Sequence, residues 1–449
     1  MQPNFILISA DNLGYGDWGC FGSTHHRTPH TDRMAAEGMK LTHFYSCSGV
    51  CTPSRAGLMT GCYPRRNQMH RGGYGTCVLM PIDSKGLHPS EVTVADVLRG
   101  AGYATACVGK WHLGDQPPFL PTRHGFDSYF GIPYSDDMVP GEHARPCPPL
   151  PLMRDEKVIE AGVDRNLLTK RYTEEVVRLI RAHRDRPFFI YLAHAMPGST
   201  TRPFASEAFA GKSDNGPYGD SIEEMDWSTG QILDALRETG LDDKTLVMTT
   251  SDHGPVRHDP PQGTAAPLKG FGYDTSEGGM RPPCIVRWPG QVPAGAQCAE
   301  VTSVLDILPT FAGLAGAAPP TDRTIDGHDI SALLRGEAGA RSAYDDAGFF
   351  YYMIDQLQAV RVGVWKLYLP LEEKLISLSG KTAPSAAELY NLRDDVGEAH
   401  NLAAEHPNIV VRLTALAEQA RAVLGDRSRA GRGQRAGGWV DDPQPCVMV

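Results

Sequence analysis

Apolar residues in this chain fall into short runs separated by amphipathic stretches, and that alternation predicts strands and helices in turn. Phe5-Ile6-Leu7-Ile8-Ser9 predicts a first strand, and helices follow around Asp32 to Gly38 and Thr93 to Arg99. Ala104 to Val108 reads as a second buried strand. Val176, Val177, Leu179 and Ile180 recur at helical spacing between Tyr172 and His183, and Phe188 to Leu192 is then strand-like. A helix from about Asp220 to Glu238, stopped at Gly240, leads to the strand Leu246-Val247-Met248. This repeated strand–helix order predicts an α/β fold with a mainly parallel sheet sandwiched by helices.

The Pro-rich run Arg145 to Pro151 reads as a surface loop inside that domain, because the pattern resumes after it. Beyond a helix from Ser303 to Ala315 and the segment Ala317-Ala318-Pro319-Pro320 the character changes. Leu357 to Val364 and Trp365 to Leu369 resemble hairpin strands, with a helix near Ile409 to Leu424. We therefore expect a main domain over residues 1–340, a smaller C-terminal α+β subdomain over 341–425, and a loose Arg/Gly/Ala-rich tail over 426–449.

Length and composition agree with a folded chain carrying a large core. The 449 residues are 41% hydrophobic and 21% charged, and mean hydropathy is -0.30. A net charge of -10 works against broad contact with nucleic acid or an anionic membrane. Apolar runs such as Phe188 to Ala193 fall short of the ~20 residues a membrane-crossing helix needs. Ten cysteines without regular spacing predict buried thiols and no disulfide framework. No leader pattern precedes the first strand, so the expectation is a cytoplasmic protein, or a periplasmic or extracellular one whose leader has been trimmed.

Candidate chemistry sits at strand ends, where open α/β sheets bind ligands. Asp11-Asn12 follows the first strand, and Asp252-His253-Gly254 follows Leu246 to Thr250. Two carboxylates, an amide oxygen and an imidazole suit one divalent ion, calcium first and magnesium second. Each pair taken alone is also an ordinary turn former.

The most informative stretch is Ser48-Gly49-Val50-Cys51-Thr52-Pro53-Ser54-Arg55-Ala56-Gly57-Leu58-Met59-Thr60-Gly61. Cys51-x-Pro53-x-Arg55 with Leu58, Thr60 and Gly61 resembles the sulfatase signature. That resemblance implies an alkaline-phosphatase-like fold in which Cys51 is oxidised to formylglycine by a formylglycine-generating enzyme. It further implies that the hydrated aldehyde attacks sulfur with one metal-activated hydroxyl, and that the second hydroxyl later loses its proton to expel sulfate. A helix start supplies free N–H groups for the anion, and Arg55 supplies a planar guanidinium.

The resemblance extends through Leu13-Gly14-Tyr15-Gly16-Asp17, Gly109-Lys110-Trp111-His112-Leu113-Gly114 and Glu388-Leu389-Tyr390-Asn391-Leu392. In the family the lysine of the second block contacts sulfate and metal-bound residues, and its histidine bonds the diol, so Lys110 and His112 carry those expectations. Cys51, once converted, joins Asp11, Asn12, Asp252 and His253 as a metal ligand. Four departures stand out. Asn12 replaces an acidic residue, and His253 replaces a common Asn. The loop after Phe188 to Leu192 reads Met196-Pro197-Gly198 where a Met-Pro-His would hold the leaving-group acid, leaving His194 as the nearest replacement or as a core histidine. Gly272 stands where a Lys is frequent, while Lys269 either reaches substrate or is a solvated loop residue.

The expectation is therefore a sulfatase that hydrolyses an aryl or carbohydrate sulfate. A phosphate or phosphonate ester hydrolase of the same superfamily, and a sulfated-glycan binding protein without turnover, are the alternatives.

Overall fold

The computed structural model describes residues 2–143, 145–376, 380–381, 383–427 and 429–448. The main sheet contains ten strands: β1 (Asn4–Asp11), β2 (Met39–Leu41), β3 (Ala104–Gly109), β4 (Ser128–Gly131), β5 (Pro151–Arg154), β6 (Lys157–Ala161), β7 (Phe188–Pro197), β8 (Thr245–Ser251), β9 (Ile285–Arg287) and β10 (Ala296–Cys298). Their spatial order is β10-β2-β9-β8-β1-β7-β3-β4-β5-β6. The centre, β8 through β4, is parallel, and antiparallel strands join on both sides.

All eight residues of β1 are buried, as expected of a strand covered on both faces. Alternation then sorts its side chains. Phe5 and Leu7 enter one core with α2 (Cys51–Thr60), α3 (Val94–Gly100) and α6 (Ile307–Leu314). Ile6 and Ile8 enter the other with α1 (Pro29–Ala36), α4 (Leu168–Ala182) and α5 (Gly216–Glu238). Parallel pairing of β1 with β8 runs from Asn4↔Thr245 to Ala10↔Ser251. That register brings Asp11 and Asp252 to one sheet edge.

A second, antiparallel sheet of β11 (Phe349–Met353), β12 (Gln356–Val362), β13 (Trp365–Tyr368) and β14 (Glu388–Asn391) carries α7 (Pro407–Leu424). Its apolar residues belong to the same core as Phe5 and Leu7. A buried charge cluster ties the two sheets together. The Lys366 ammonium donates to Glu277 Oε1 at 2.9 Å and to the Thr275 carbonyl at 3.0 Å, and it pairs with Glu398 Oε1 at 3.0 Å.

Two expectations change. The Pro-rich run feeds directly into the β5–β6 hairpin at the sheet edge, which the sequence reading passed over because Lys157–Ala161 is a short edge strand with no fully buried residue, its exposed Lys157, Ile159 and Ala161 alternating with half-buried Val158 and Glu160. Described residues of the stretch from 429 to 448 are packed rather than loose. Gly438–Trp439 pairs with Lys85–Gly86, the Arg435 guanidinium bonds Glu91 at 2.7 and 2.8 Å, and the Gln444 amide bonds Gln116 at 2.8 Å. Arg435 finds the buried Glu91 carboxylate on the main domain, which local composition does not reveal. Among the described residues no helix is long and apolar enough to cross a membrane, and the cysteines are free thiols.

Candidate active site

Helix α2 starts at Cys51 after an extended Val50 that offers no side-chain cap, so its first-turn N–H groups remain available toward the strand ends. All ten of its residues are buried. Cys51 Sγ lies 3.5 Å from His253 Nε2, 3.7 Å from Asn12 Oδ1 and 3.7 Å from Lys110 Nζ. Burial, reinforced by Asp11, pushes the Cys51 thiol well above its ordinary pKa.

Arg55 lies one turn beyond Cys51, and its guanidinium spans both carboxylates. It bonds Asp11 Oδ1 at 2.9 Å and Asp252 Oδ2 at 3.1 Å through Nε and 3.0 Å through NH2. Its remaining nitrogen donates to the Lys110 carbonyl at 3.0 Å and the Tyr191 hydroxyl at 3.4 Å. Burial opposes this charge, but Asp252 and its other partners outweigh burial and keep Arg55 firmly protonated. The sequence reading aimed Arg55 at sulfate oxygens, whereas the structure commits it to the carboxylates. Lys110 Nζ bonds Asp11 Oδ1 and Oδ2 at 2.8 and 2.9 Å and Ser135 Oγ at 2.9 Å, and it faces Cys51. Burial opposes the Lys110 ammonium too, and Asp11 overcomes it. Two buried anions therefore stand against two buried cations.

A cluster at the start of α2 and the end of β8 fits a divalent ion. Cys51, Asp252 and His253 place ligand atoms within 4.8 Å of one another. His253 Nδ1 bonds the Gly254 carbonyl at 2.9 Å, which makes it the protonated nitrogen and leaves the Nε2 lone pair toward the cluster. Asn12 Nδ2 donates to Ser199 Oγ at 2.9 Å, so its oxygen turns the same way. Asn12 has φ +64°, and its N–H donates to Asp252 Oδ1 at 3.0 Å, which joins the two pairs.

His112 is brought close, with its carbonyl accepting from Thr52 Oγ1 at 3.1 Å and its Nε2 bonding the Leu79 carbonyl at 3.0 Å. Burial and then Lys110 lower its pKa to about 3, so the ring is neutral. His194 and Lys269 are not brought in. His194 continues the Phe188, Ile190, Leu192 face of β7 that packs into the α4–α5 core. Both of its ring nitrogens lack a hydrogen-bond partner, and burial lowers its pKa to about 3. Regular pairing of β7 with β1 stops at Ala193 and resumes only at Pro197, so His194 opens an irregular stretch of the strand. Lys269 turns instead to the C-terminal unit, donating to the Glu398 carbonyl at 3.0 Å over the Tyr390 ring.

Several residues escaped the sequence reading. Ser135-Asp136-Asp137 follows β4 closely, so the strand-end rule that found Asp11 and Asp252 applies to them as well. Tyr191 supports Arg55, and the Tyr273 hydroxyl sits 3.1 Å from Ser199 Oγ, with its ring edge-on to His253. These last two carry no local signal, because strand and loop tyrosines are common.

The Sulfatase family model matches residues 3–317. The chain belongs to the sulfatase family. A second model, described as N-sulphoglucosamine sulphohydrolase, C-terminal, matches residues 269–422 of this sulfatase. Mouse steryl-sulfatase is 39% identical, covering 82% of the chain and 70% of that protein. Human arylsulfatase A is 38% identical, covering 89% and 83%. A solved Bacteroides thetaiotaomicron structure from work on glycosaminoglycan metabolism superposes with TM-score 0.80 at 28% identity, covering 94% of this chain and 99% of that one. The phosphonate monoester hydrolase of Agrobacterium radiobacter shares the fold, with TM-score 0.62 at 20% identity over 93% and 96% of the chains. The protein is thus a sulfuric ester hydrolase, and its family works with formylglycine and a divalent metal.

Proposed function

We propose that residue 51, converted to formylglycine by a formylglycine-generating enzyme, is the nucleophile toward an aryl or carbohydrate sulfate, and that Asp11, Asn12, Asp252 and His253 hold one calcium ion. The observation that carries this reading is the position of Cys51 at the start of α2, with its sulfur within 3.7 Å of Asn12, His253 and Lys110.

The ion would polarise the substrate and the nucleophilic oxygen. The chain's own groups do the rest. Arg55 holds the two carboxylates in place at the ends of β1 and β8 and shares them with the ion. Lys110 points its ammonium at residue 51 and offers a positive charge to the sulfate oxygens and to the attacking oxygen. The free N–H groups of α2 receive sulfate from below. His112, neutral and fixed by Leu79, presents Nδ1, which has no hydrogen-bond partner. Two carboxylates balance Arg55 and Lys110, so a bound divalent ion leaves a net positive site matched to an anionic ester.

Peptide mass spectrometry across residue 51 in wild-type protein tests the modification, and sulfate release by Cys51→Ala tests the role. Conversion of the thiol to an aldehyde and loss of turnover in the variant are expected. Wild-type turnover by Cys51→Ala would remove the reading.

A further inference from the structure

The chain carries Gly198 where its family places a leaving-group acid, and the backbone there leaves no room for a side chain. A Cβ at Gly198 would meet the Ala195 carbonyl at 2.8 Å, Asp136 Oδ1 at 3.2 Å and Asp11 Oδ2 at 3.7 Å. Gly198 therefore sits between the metal-pair carboxylate and a second carboxyl from the loop after β4. Gly198 has φ +73°, and its N–H donates to the Asp11 carbonyl at 3.0 Å, so the backbone there is held tightly against the site.

Asp136 is unusual among the acids of this protein. It is fully buried, and neither side-chain oxygen has a hydrogen-bond partner. The adjacent Ser135 bonds the Lys110 ammonium at 2.9 Å, and Arg165 donates at 3.2 Å to the Asp136 backbone carbonyl rather than to its carboxyl. An unpaired carboxylate in such a position costs far more than the neutral carboxylic acid, which also carries a proton to donate. Burial first, then Asp137 and Asp11, push its pKa well above the ordinary carboxylate range, and Lys110 and Arg165 only partly oppose them.

We propose that Asp136 is the catalytic residue that protonates the leaving alcohol, replacing the histidine that Gly198 displaced. As one hydroxyl oxygen of hydrated residue 51 bonds to sulfur, the sulfur–oxygen bond to the alcohol breaks, its electron pair stays with the alcohol oxygen and the Asp136 proton moves onto that oxygen. The proton that the nucleophilic hydroxyl gives up returns Asp136 to its acid form; the second hydroxyl then loses its proton to solvent, the carbon–oxygen bond to sulfate breaks to leave the aldehyde, and one water rehydrates it per ester cleaved. This assignment rests on the nucleophile reading above.

The test is a series of aryl sulfates of graded leaving-group pKa together with an alkyl sulfate, assayed with wild type, Asp136→Asn and Asp136→Ala. A positioned acid contributes roughly 10²–10⁴-fold where the leaving group needs it. Wild type should show a shallow dependence of kcat/KM on leaving-group pKa. The variants should keep 4-nitrophenyl sulfate turnover within about tenfold while losing ~10²-fold or more on the alkyl sulfate. Equal loss on all members, or no loss on any, would overturn the assignment and leave the nucleophile reading standing. A steep dependence in wild type itself would overturn it without any variant, so poor folding of Asp136→Asn does not protect the idea. No turnover of any ester by wild type with residue 51 converted would sink both readings together.

Discussion

Replacing Arg55 by methionine keeps most of the side-chain volume while removing the charge that spans Asp11 and Asp252. All three groups are essentially inaccessible to water, with side-chain exposures of 1%, 0% and 0%. Asp11 would retain Lys110, at 2.8 Å, but Asp252 Oδ2 would lose both guanidinium contacts, at 3.0 and 3.1 Å. Breaking a buried ion pair by deleting one partner costs about 3–5 kcal/mol, because the remaining charge is left uncompensated. In chelator, Arg55→Met should therefore lose about that much unfolding free energy. A divalent ion supplies positive charge to the same two carboxylates, so the deficit should shrink as calcium is added. Wild type gains about 4 kcal/mol at a thousandfold excess over Kd. The variant should gain at least ~1.4 kcal/mol more, equivalent to tenfold tighter calcium binding, since no guanidinium then competes with the ion. Urea unfolding of both proteins in chelator and across a calcium titration measures this directly. A deficit of the same size in both conditions, or weaker calcium binding by the variant, would refute the claim that Arg55 and the ion share these carboxylates.

Asp252→Ala should abolish both bound calcium and sulfate release, and full calcium occupancy by elemental analysis of the variant would contradict the ligand assignment. Lys366→Met should destabilise the protein by about 3–5 kcal/mol, because Glu277 and Glu398 lose their shared buried cation, and a thermal midpoint close to wild type would argue against that role. Lys269→Ala, which loses only the Glu398 carbonyl contact and a ring contact, should leave kcat/KM within about twofold in the standard sulfate-release assay. His194 has its pKa lowered by burial from 6.5 to about 3, so the stability it contributes is fully present above about pH 6.5 and is lost as pH falls toward 3. The slope it adds is up to ~1.4 kcal/mol per pH unit. His194→Leu removes that proton uptake and should move the acid-unfolding midpoint to lower pH, with an unchanged midpoint counting against a buried neutral ring.

Much of this molecule was legible in its residues because the signals are local. Buried parallel strands are uninterrupted apolar runs, and β1, β7 and β8 stand where Phe5, Phe188 and Leu246 begin such runs. Amphipathic helices announce their spacing, and α4, α5 and α7 differ from expectation only by a few residues at their ends. The strand-end pairs Asp11-Asn12 and Asp252-His253 are contiguous stretches whose chemistry follows from residue type and position, whereas Cys51 and Lys110 were legible through the resemblance of their motifs to the sulfatase family. Decisions that depend on contacts across hundreds of residues needed the tertiary structure. Arg55 meets Asp252 rather than solvent because α2 and β8 share one sheet edge. His194 is buried with both ring nitrogens unpartnered because the irregular stretch of β7 after Ala193 encloses it, although Gly198 further along approaches the site. Residues 429–448 pack because Glu91, Gln116 and the Lys85–Gly86 strand happen to lie beneath them. Asp136 approaches Gly198 only because parallel pairing places the ends of β4, β3 and β7 side by side. Local periodicity encodes which face of an element is apolar, but the identity of the charged group that closes on it from another element is set by long-range packing, and in this protein that packing chose the groups surrounding the leaving alcohol.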